Sequence, residues 1–170
     1  MVILETALDD KTRIMQVEYR PATDDDLELM LAWRSHPELY KNFYEQNDPV
    51  EWKEHIKWWE SRENRRDWII TVREESQDRW RDVGNVNVSS LDTELPEIGI
   101  YIGEITFWGE GVATEAIHFG INWLREQNYR VVRAQVLASN ESSKHVFKKV
   151  GFDQVGKARE NEYEFKMRLS

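Results

Sequence analysis

The sequence predicts an α+β fold in a single domain, with a mixed, mainly antiparallel central sheet flanked by helices. Three observations point there. Apolar residues alternate in short runs, most plainly at 97–103, where Ile98, Ile100 and Ile102 face one side and Glu97, Gly99 and Tyr101 the other. Elsewhere they recur at helical spacing, as in Leu27, Met30 and Leu31 and again in Ile117, Ile121 and Leu124. No repeat, low-complexity tract or long linker divides the 170 residues, a length that one domain fills while burying a sizeable core.

In chain order, residues 1–16 read as an N-terminal extension or an edge element, a short apolar start followed by Asp9-Asp-Lys-Thr-Arg13. The domain proper is taken as 17–170. A first strand is expected at 17–20. Thr23 is placed to cap a helix opened by Asp24, Asp25 and Asp26, acids favoured at the positive end of a helix dipole. Pro37 interrupts or restarts that helix. A second helix at 50–62 carries Trp52, Ile56 and Trp59 on one face, a stripe read as core packing. Strands follow at 68–73, 83–91 and 97–103, with a polar segment at 74–82 and a turn around 92–96. A helix at 113–127, a strand at 130–138, a helix opened by Asn140, and strands at 154–156 and 163–169 complete the chain.

Composition removes several function classes. With no cysteine there is no disulfide framework and no thiolate nucleophile. The four histidines do not pair at zinc-binding spacing, and Glu51 with His55, one helical turn apart, lacks a third ligand, so no metal is expected. A net charge of −9 argues against nucleic acid, whose phosphates call for clustered Lys and Arg. No apolar run is long enough to cross a bilayer, and the first ten residues lack a secretory pattern, so no membrane and a cytoplasmic location are expected.

The most informative stretch is Gly99-Ile-Tyr-Ile-Gly-Glu-Ile-Thr-Phe-Trp-Gly-Glu-Gly-Val-Ala-Thr-Glu-Ala-Ile117, an alternating strand running through a glycine-bearing loop into a helix. Gly109 and Gly111 let backbone approach an anion, and the helix offers unpaired amides and its positive dipole end, so phosphate can be held without a lysine. Some thirty residues later comes Asn140-Glu-Ser-Ser-Lys-His-Val-Phe-Lys-Lys-Val-Gly-Phe152. Together these segments resemble the GNAT superfamily of acetyl-CoA-dependent N-acetyltransferases. Trp108 to Ala113 are similar to its motif A, and Asn140 to Phe152 to its motif B. The wording Trp-Gly-x-Gly-x-Ala-Thr-Glu-Ala is most similar to the branch of ribosomal-protein and spermidine acetyltransferases. The resemblance covers roughly residues 17–169.

What the resemblance implies is a GNAT-like fold with acetyl-CoA as acetyl donor, lying in a wedge between splayed strands, with a bulge in the earlier strand helping to part them. Backbone of 98–102, Ile100 and Ile102 included, would hold the pantetheine, and Gly99 and Gly103 suit close approach. Trp108, Gly109, Glu110, Gly111, Val112, Ala113 and Thr114 would line the pyrophosphate, and Asn140, Ser143, Lys144, Phe147 and Lys148 the other wall. Lys144 and Lys148 are assigned to the ribose phosphate. Glu110 stands where a basic residue is common and is tolerable only if it points to water.

For chemistry, Glu97 or a water that it holds is the favoured general base, with Glu94 and Glu104 as rivals. Tyr101 can donate to a carbonyl or thiolate, or simply pack. The tyrosine that many members use as proton donor is here Phe147. Ser143, one turn earlier, is the candidate replacement, although a thiol pKa of about 8.5 makes the leaving group tolerable without one. Ser143 and Asn140 also suit plain helix capping. Trp33 and Arg34, with the later His55 and Trp58, resemble the aminodeoxysugar-nucleotide acetyltransferases, and an aromatic–arginine pair suits a base and a phosphate. A protein N-terminus or polyamine remains an equal option for the amine acceptor, small molecule or peptide. A monomer or homodimer is implied. The other class kept open is a non-catalytic acyl-CoA-binding sensor or scaffold, which Phe147 and Glu110 favour.

Overall fold

The computed structural model describes residues 1–8, 11–44 and 46–169. Eight strands form one sheet: β1 (Val2–Leu8), β2 (Lys11–Pro21), β3 (Arg66–Glu74), β4 (Arg81–Ser89), β5 (Glu97–Ile102), β6 (Val131–Leu137), β7 (Asp153–Arg159) and β8 (Glu162–Arg168). Their order is β1-β2-β3-β4-β5-β6-β8-β7. Every neighbouring pair is antiparallel except β5 and β6. The helices are α1 (Leu27–Arg34), α2 (Pro37–Tyr40), α3 (Trp52–Glu60), α4 (Val112–Glu126) and α5 (Glu141–Val150). The α+β expectation with a mixed, mostly antiparallel sheet holds. The expected extension contributes an edge strand: β1 pairs with β2 from Val2↔Val17 onward. Asp9 and Asp10 of that extension lie outside the described residues.

Two layers of helix sandwich the sheet. On one face α4 and α5 bury Ile117, Ile121, Leu124 and Phe147 against Val86, Val88, Ile98, Val132 and Phe165. On the other, α1 and α3 cover Ile69 and Tyr101 with Met30, Trp33, Trp58 and Trp59. The period-two pattern of β5 is legible here, since Ile98 and Ile102 are buried toward α4 while Tyr101 belongs to the opposite cluster.

Two local readings need correction. The stripe on α3 is not core throughout: Trp52 is 48% exposed, whereas the fully buried side chain of that helix is His55. Trp58 and Trp59 are half-buried and carry arginines on their faces, with the Arg62 guanidinium 3.0 Å from the Trp59 ring centre. The bulge also falls elsewhere. β5 keeps unbroken register with β4, and the irregularity nearest to it lies between β3 and β4, with Val83 the extra residue. The Val83 carbonyl accepts from Gly103 N–H at 2.8 Å and Glu104 N–H at 3.1 Å. The bulge therefore catches the chain as it leaves β5 and turns it into the glycine loop.

Candidate active site

The parallel strands β5 and β6 share a single paired position, Glu97↔Arg133, with Arg133 N–H donating to the Pro96 carbonyl at 3.0 Å. Past it they part. β5 is satisfied by β4 along its whole length, so the backbone of 98–102 on the β6 side has no strand to bond. Buried backbone amides and carbonyls require partners, and an open wedge of this kind is a receptor for a chain-like ligand with its own amides. One position is already taken, as the Trp108 indole donates to the Ile102 carbonyl at 2.8 Å. The room at two glycines is also used from within. A Cβ at Gly103 would sit 2.2 Å from the Trp33 ring, and one at Gly99 would sit 2.9 Å from the Asn87 side chain. These glycines make space for protein groups on the α1 face.

At the mouth of the wedge, Gly109 (φ 75°) and Gly111 (φ 80°) adopt left-handed conformations that disfavour side chains. Nothing lies within 4 Å of a Cβ built at Gly109. Gly111 caps α4 without a side-chain bond, and the first intrahelical bond runs from Glu115 N–H to the Gly111 carbonyl, leaving the amides of Val112, Ala113 and Thr114 without helical acceptors. An uncapped 15-residue helix behind an open glycine turn is suited to an anion. Glu110, expected to point to water, is instead 6% exposed and accepts from the Thr6 hydroxyl of β1 at 2.8 Å. Leu4 lies under the same loop, 3.8 Å from a Cβ position at Gly111. The edge strand thus holds one oxygen of this carboxylate from within the protein.

On the second wall, Asn140 caps α5: its Oδ1 accepts from Ser143 N–H at 3.2 Å and its Nδ2 donates to Ser143 Oγ at 3.0 Å. This leaves the Ser143 hydroxyl proton free to donate. Lys144 Nζ is committed to the Ala138 carbonyl at 2.7 Å and to Glu141. Lys148 is exposed. Phe147 sits inside the core, 3% exposed, edge-on to Phe152 at 5.1 Å and stacked on Phe165.

The α1 face holds the remaining candidates. Tyr101 is packed edge-on against Trp33 and Phe43 at 6.1 and 5.6 Å. Its hydroxyl is buried without a hydrogen-bond partner, and burial pushes its pKa up. The Trp33 indole donates to Glu104 Oε1 at 3.2 Å. His55 Nε2 lies 3.0 Å from the Leu27 carbonyl. A carbonyl only accepts, so Nε2 carries the proton and the Nδ1 lone pair receives Arg34 Nη1 at 3.5 Å. Burial, then the Arg34 charge, lowers the His55 pKa and keeps the ring neutral. Arg34 rests 4.9 Å over the Trp58 ring, and burial lowers its pKa too. No carboxylate pairs with it among the described residues. Arg34 and Trp58 line a cavity of about 480 Å³. A second, of about 510 Å³, is lined by Leu137, Ala138 and Ser139 where β6 ends, and the two share Phe43, Gln46 and Asn47.

Glu97 lies 3.2 Å from Arg133 at the apex of the wedge. Burial raises its pKa, and Arg133, Arg65 and Arg159 oppose the rise without cancelling it. Sequence reasoning named Glu97, Tyr101 and Arg34 as candidates, and the structure sets beside them three residues it did not single out in these contacts: Arg133, His55 as the support of Arg34, and Thr6. Arg133 was legible, as the polar residue between Val132 and Ala134 in an alternating strand. Thr6 carried no signal, 104 residues from its partner. Among the described residues no group of three or more His, Cys, Asp or Glu could hold a metal ion, and no helix is long and apolar enough to cross a membrane.

The family described as Acetyltransferase (GNAT) domain matches residues 16–153. An uncharacterized protein of Methanocaldococcus jannaschii, MJ1062, is 46% identical over 150 residues, 88% of this chain. The chain spans about a third of the length of that relative, 31%. The crystal structure of a domain from the same organism superposes with a TM-score of 0.88 at 44% identity, covering 91% of this chain and 99% of that one. Spermidine N-acetyltransferase from Vibrio cholerae, solved with CoA and spermine, shares the fold at a TM-score of 0.75 and 15% identity, over 91% and 96% of the two chains. This chain therefore belongs to the GNAT acetyltransferase domain family.

Proposed function

We propose that this protein transfers the acetyl group of acetyl-CoA to a primary amine by direct attack. The single observation that carries the reading is the wedge: β5 and β6 joined only at Glu97↔Arg133, opening onto the uncapped, glycine-led start of α4. Bound there, acetyl-CoA supplies an electrophilic thioester and a thiol leaving group. The amides of 112–114 hold its pyrophosphate, and backbone groups of 98–101 hold the arm that runs between the strands. With Lys144 internally committed, Lys148 is the lysine free for the ribose phosphate.

An amine attacks only when neutral, and an alkylamine near pH 7 is mostly protonated. Glu97 accepts that proton, directly or through a water, and burial suits it by making it more basic than a solvated glutamate. Ser143, with its oxygen held by Asn140, donates toward the departing sulfur. Tyr101 places an unpartnered hydroxyl beside the acceptor face. The acceptor is an aminodeoxysugar nucleotide. Arg34 is a half-buried guanidinium with an aromatic ring beneath it and, among the described residues, no carboxylate partner, which favours an anion next to a planar group over a polycation. The peptide or polyamine alternative draws on Asp48 and Glu54, which line the same cavity. We place the reaction in the cytoplasm, where acetyl-CoA is available.

The experiment is calorimetric titration with acetyl-CoA and with 3′-dephospho-CoA, followed by an amine screen with a UDP-linked aminodeoxyhexose, spermidine and a peptide with a free N-terminus. Saturable binding with turnover of the nucleotide sugar supports the reading. Tight binding with no turnover of any amine replaces it with a non-catalytic acyl-CoA sensor.

A further inference from the structure

Glu162 opens β8 and is 6% exposed, yet its Oε1 is buried without a hydrogen-bond partner. It stands on the acceptor face. Tyr163, Phe165 and Met167 turn the other way into the α4 core, so Glu162, Glu164 and Lys166 share the opposite side with Arg133 and Glu97. In register it lies across from Leu137 and directly follows Asn161, and both of those line the cavity of about 510 Å³ at the mouth of the wedge. The cation paired with it is beyond hydrogen-bond reach. Arg159 Nε of β7 is 3.8 Å away, and that guanidinium is held 3.9 Å over the Tyr44 ring. Glu164 and Lys166 are occupied with each other at 2.8 Å. Glu97 adds a second negative charge nearby. A buried carboxylate oxygen lacking a donor is costly in the free protein, and a ligand that brings a donor recovers that cost.

We propose that Glu162 is the recognition site for the acceptor's ammonium group, binding it before Glu97 removes the proton. The proposal rests on the acetyl-transfer reading and deepens it. Two carboxylates then divide two tasks, capture at Glu162 and deprotonation at Glu97. The cavity lined by Leu137 and the cavity lined by Arg34 share Phe43, Gln46 and Asn47, so an acceptor with an amine at one end and an anion at the other spans both. Burial raises the Glu162 pKa, Arg159 opposes the rise and Glu97 adds to it, so capture weakens as the pH falls through that raised value.

The test is Glu162→Gln in the full chain, with Glu162→Asp as the conservative variant, assayed with whichever of the three screened amines the wild-type protein acetylates fastest. Removing a charged hydrogen-bond partner should raise KM for the amine about 10- to 100-fold. The acetyl-CoA Kd should stay unchanged, kcat should change by much less than KM, and Glu162→Asp should fall between. Melting supplies a readout independent of turnover: Glu162→Gln should melt no lower than wild type, because it removes a charge that burial disfavours. An unchanged amine KM overturns the proposal while leaving acetyl transfer intact. A lowered melting temperature with KM and Kd rising together assigns Glu162 a structural role and overturns it as well. If the wild-type protein binds acetyl-CoA but acetylates none of the amines, the transfer reading fails and takes this proposal with it.

Discussion

Two glutamates and an aspartate on this chain respond to burial in opposite ways, and the difference follows from how many donors each was given. Asp26 is 5% exposed, and burial by itself would raise its pKa. It receives two bonds from Arg20, at 2.7 and 2.9 Å, and one from Thr23 N–H at 2.8 Å, and the net shift is downward. Its ionised form therefore contributes stability above the ordinary aspartate value of about 3.9, and that contribution is lost as the pH falls through the depressed folded value. Asp26→Asn should cost about 1–2 kcal/mol in urea melts at pH 7, part of the pair being screened through half-exposed Arg20, with the difference vanishing in acid. Glu97 is shifted upward, so its favourable contribution is present below the ordinary glutamate value and disappears as the pH rises through the raised one. Glu97→Gln should leave the protein at least as stable at neutral pH while lowering kcat by 10²-fold or more, with acetyl-CoA affinity retained. A variant that loses rate and stability in parallel would remove Glu97 from the chemistry.

Among the elements, β5 and α4 were legible because every residue that faces the core repeats at the period of its own structure: Ile98 and Ile102 at two, Ile117, Ile121 and Leu124 near three and a half. α3 was legible as a helix but not in its orientation. Its tryptophans satisfied the apolar stripe, yet the position facing inward went to His55, whose two ring nitrogens match two groups brought from α1, the Leu27 carbonyl and the Arg34 guanidinium. Periodicity does not report partners that arrive from another element. The same holds for β1, whose Thr6 reaches Glu110 across the sheet edge. Thr6→Val should weaken acetyl-CoA binding several-fold in calorimetry by letting a carboxylate approach the anion cradle, with the effect shrinking at high salt. Gly103 belongs to this scale as well. Gly103→Ala drives a methyl group into the ring of Trp33, which is 4% exposed, and should cost about 1–3 kcal/mol in denaturant melts and disturb the acceptor face first.

At the scale of the whole molecule, the chain carries a net charge of −9 while its arginines gather on the acceptor face: Arg34, Arg62, Arg65, Arg133 and Arg159. Most of these arginines are matched by carboxylates on the same face, Asp67, Glu97 and Glu162, while Arg34 has none among the described residues; the sheet brings these side chains together from α1, β6, β7, β8 and the segment before β3. That gathering is a property of topology, which explains why composition, used here only to argue against nucleic acid, gave no sign of this one face. Acetyl-CoA at a hundred times its Kd should stabilise the fold by about 2.7 kcal/mol. For a chain of this size that raises the melting temperature by roughly 5–10 °C in differential scanning fluorimetry. The single joint between β5 and β6 gives that figure a location. Mechanically, the sheet is two panels on one hinge pin, β1–β5 on one side and β6, β8 and β7 on the other, and an extended ligand lying in the gap acts as a ninth strand. Amide hydrogen exchange should register this as new protection along 98–101 and 134–137 when acetyl-CoA is added, while the amides between β2 and β3, far from the seam, keep the rate they had.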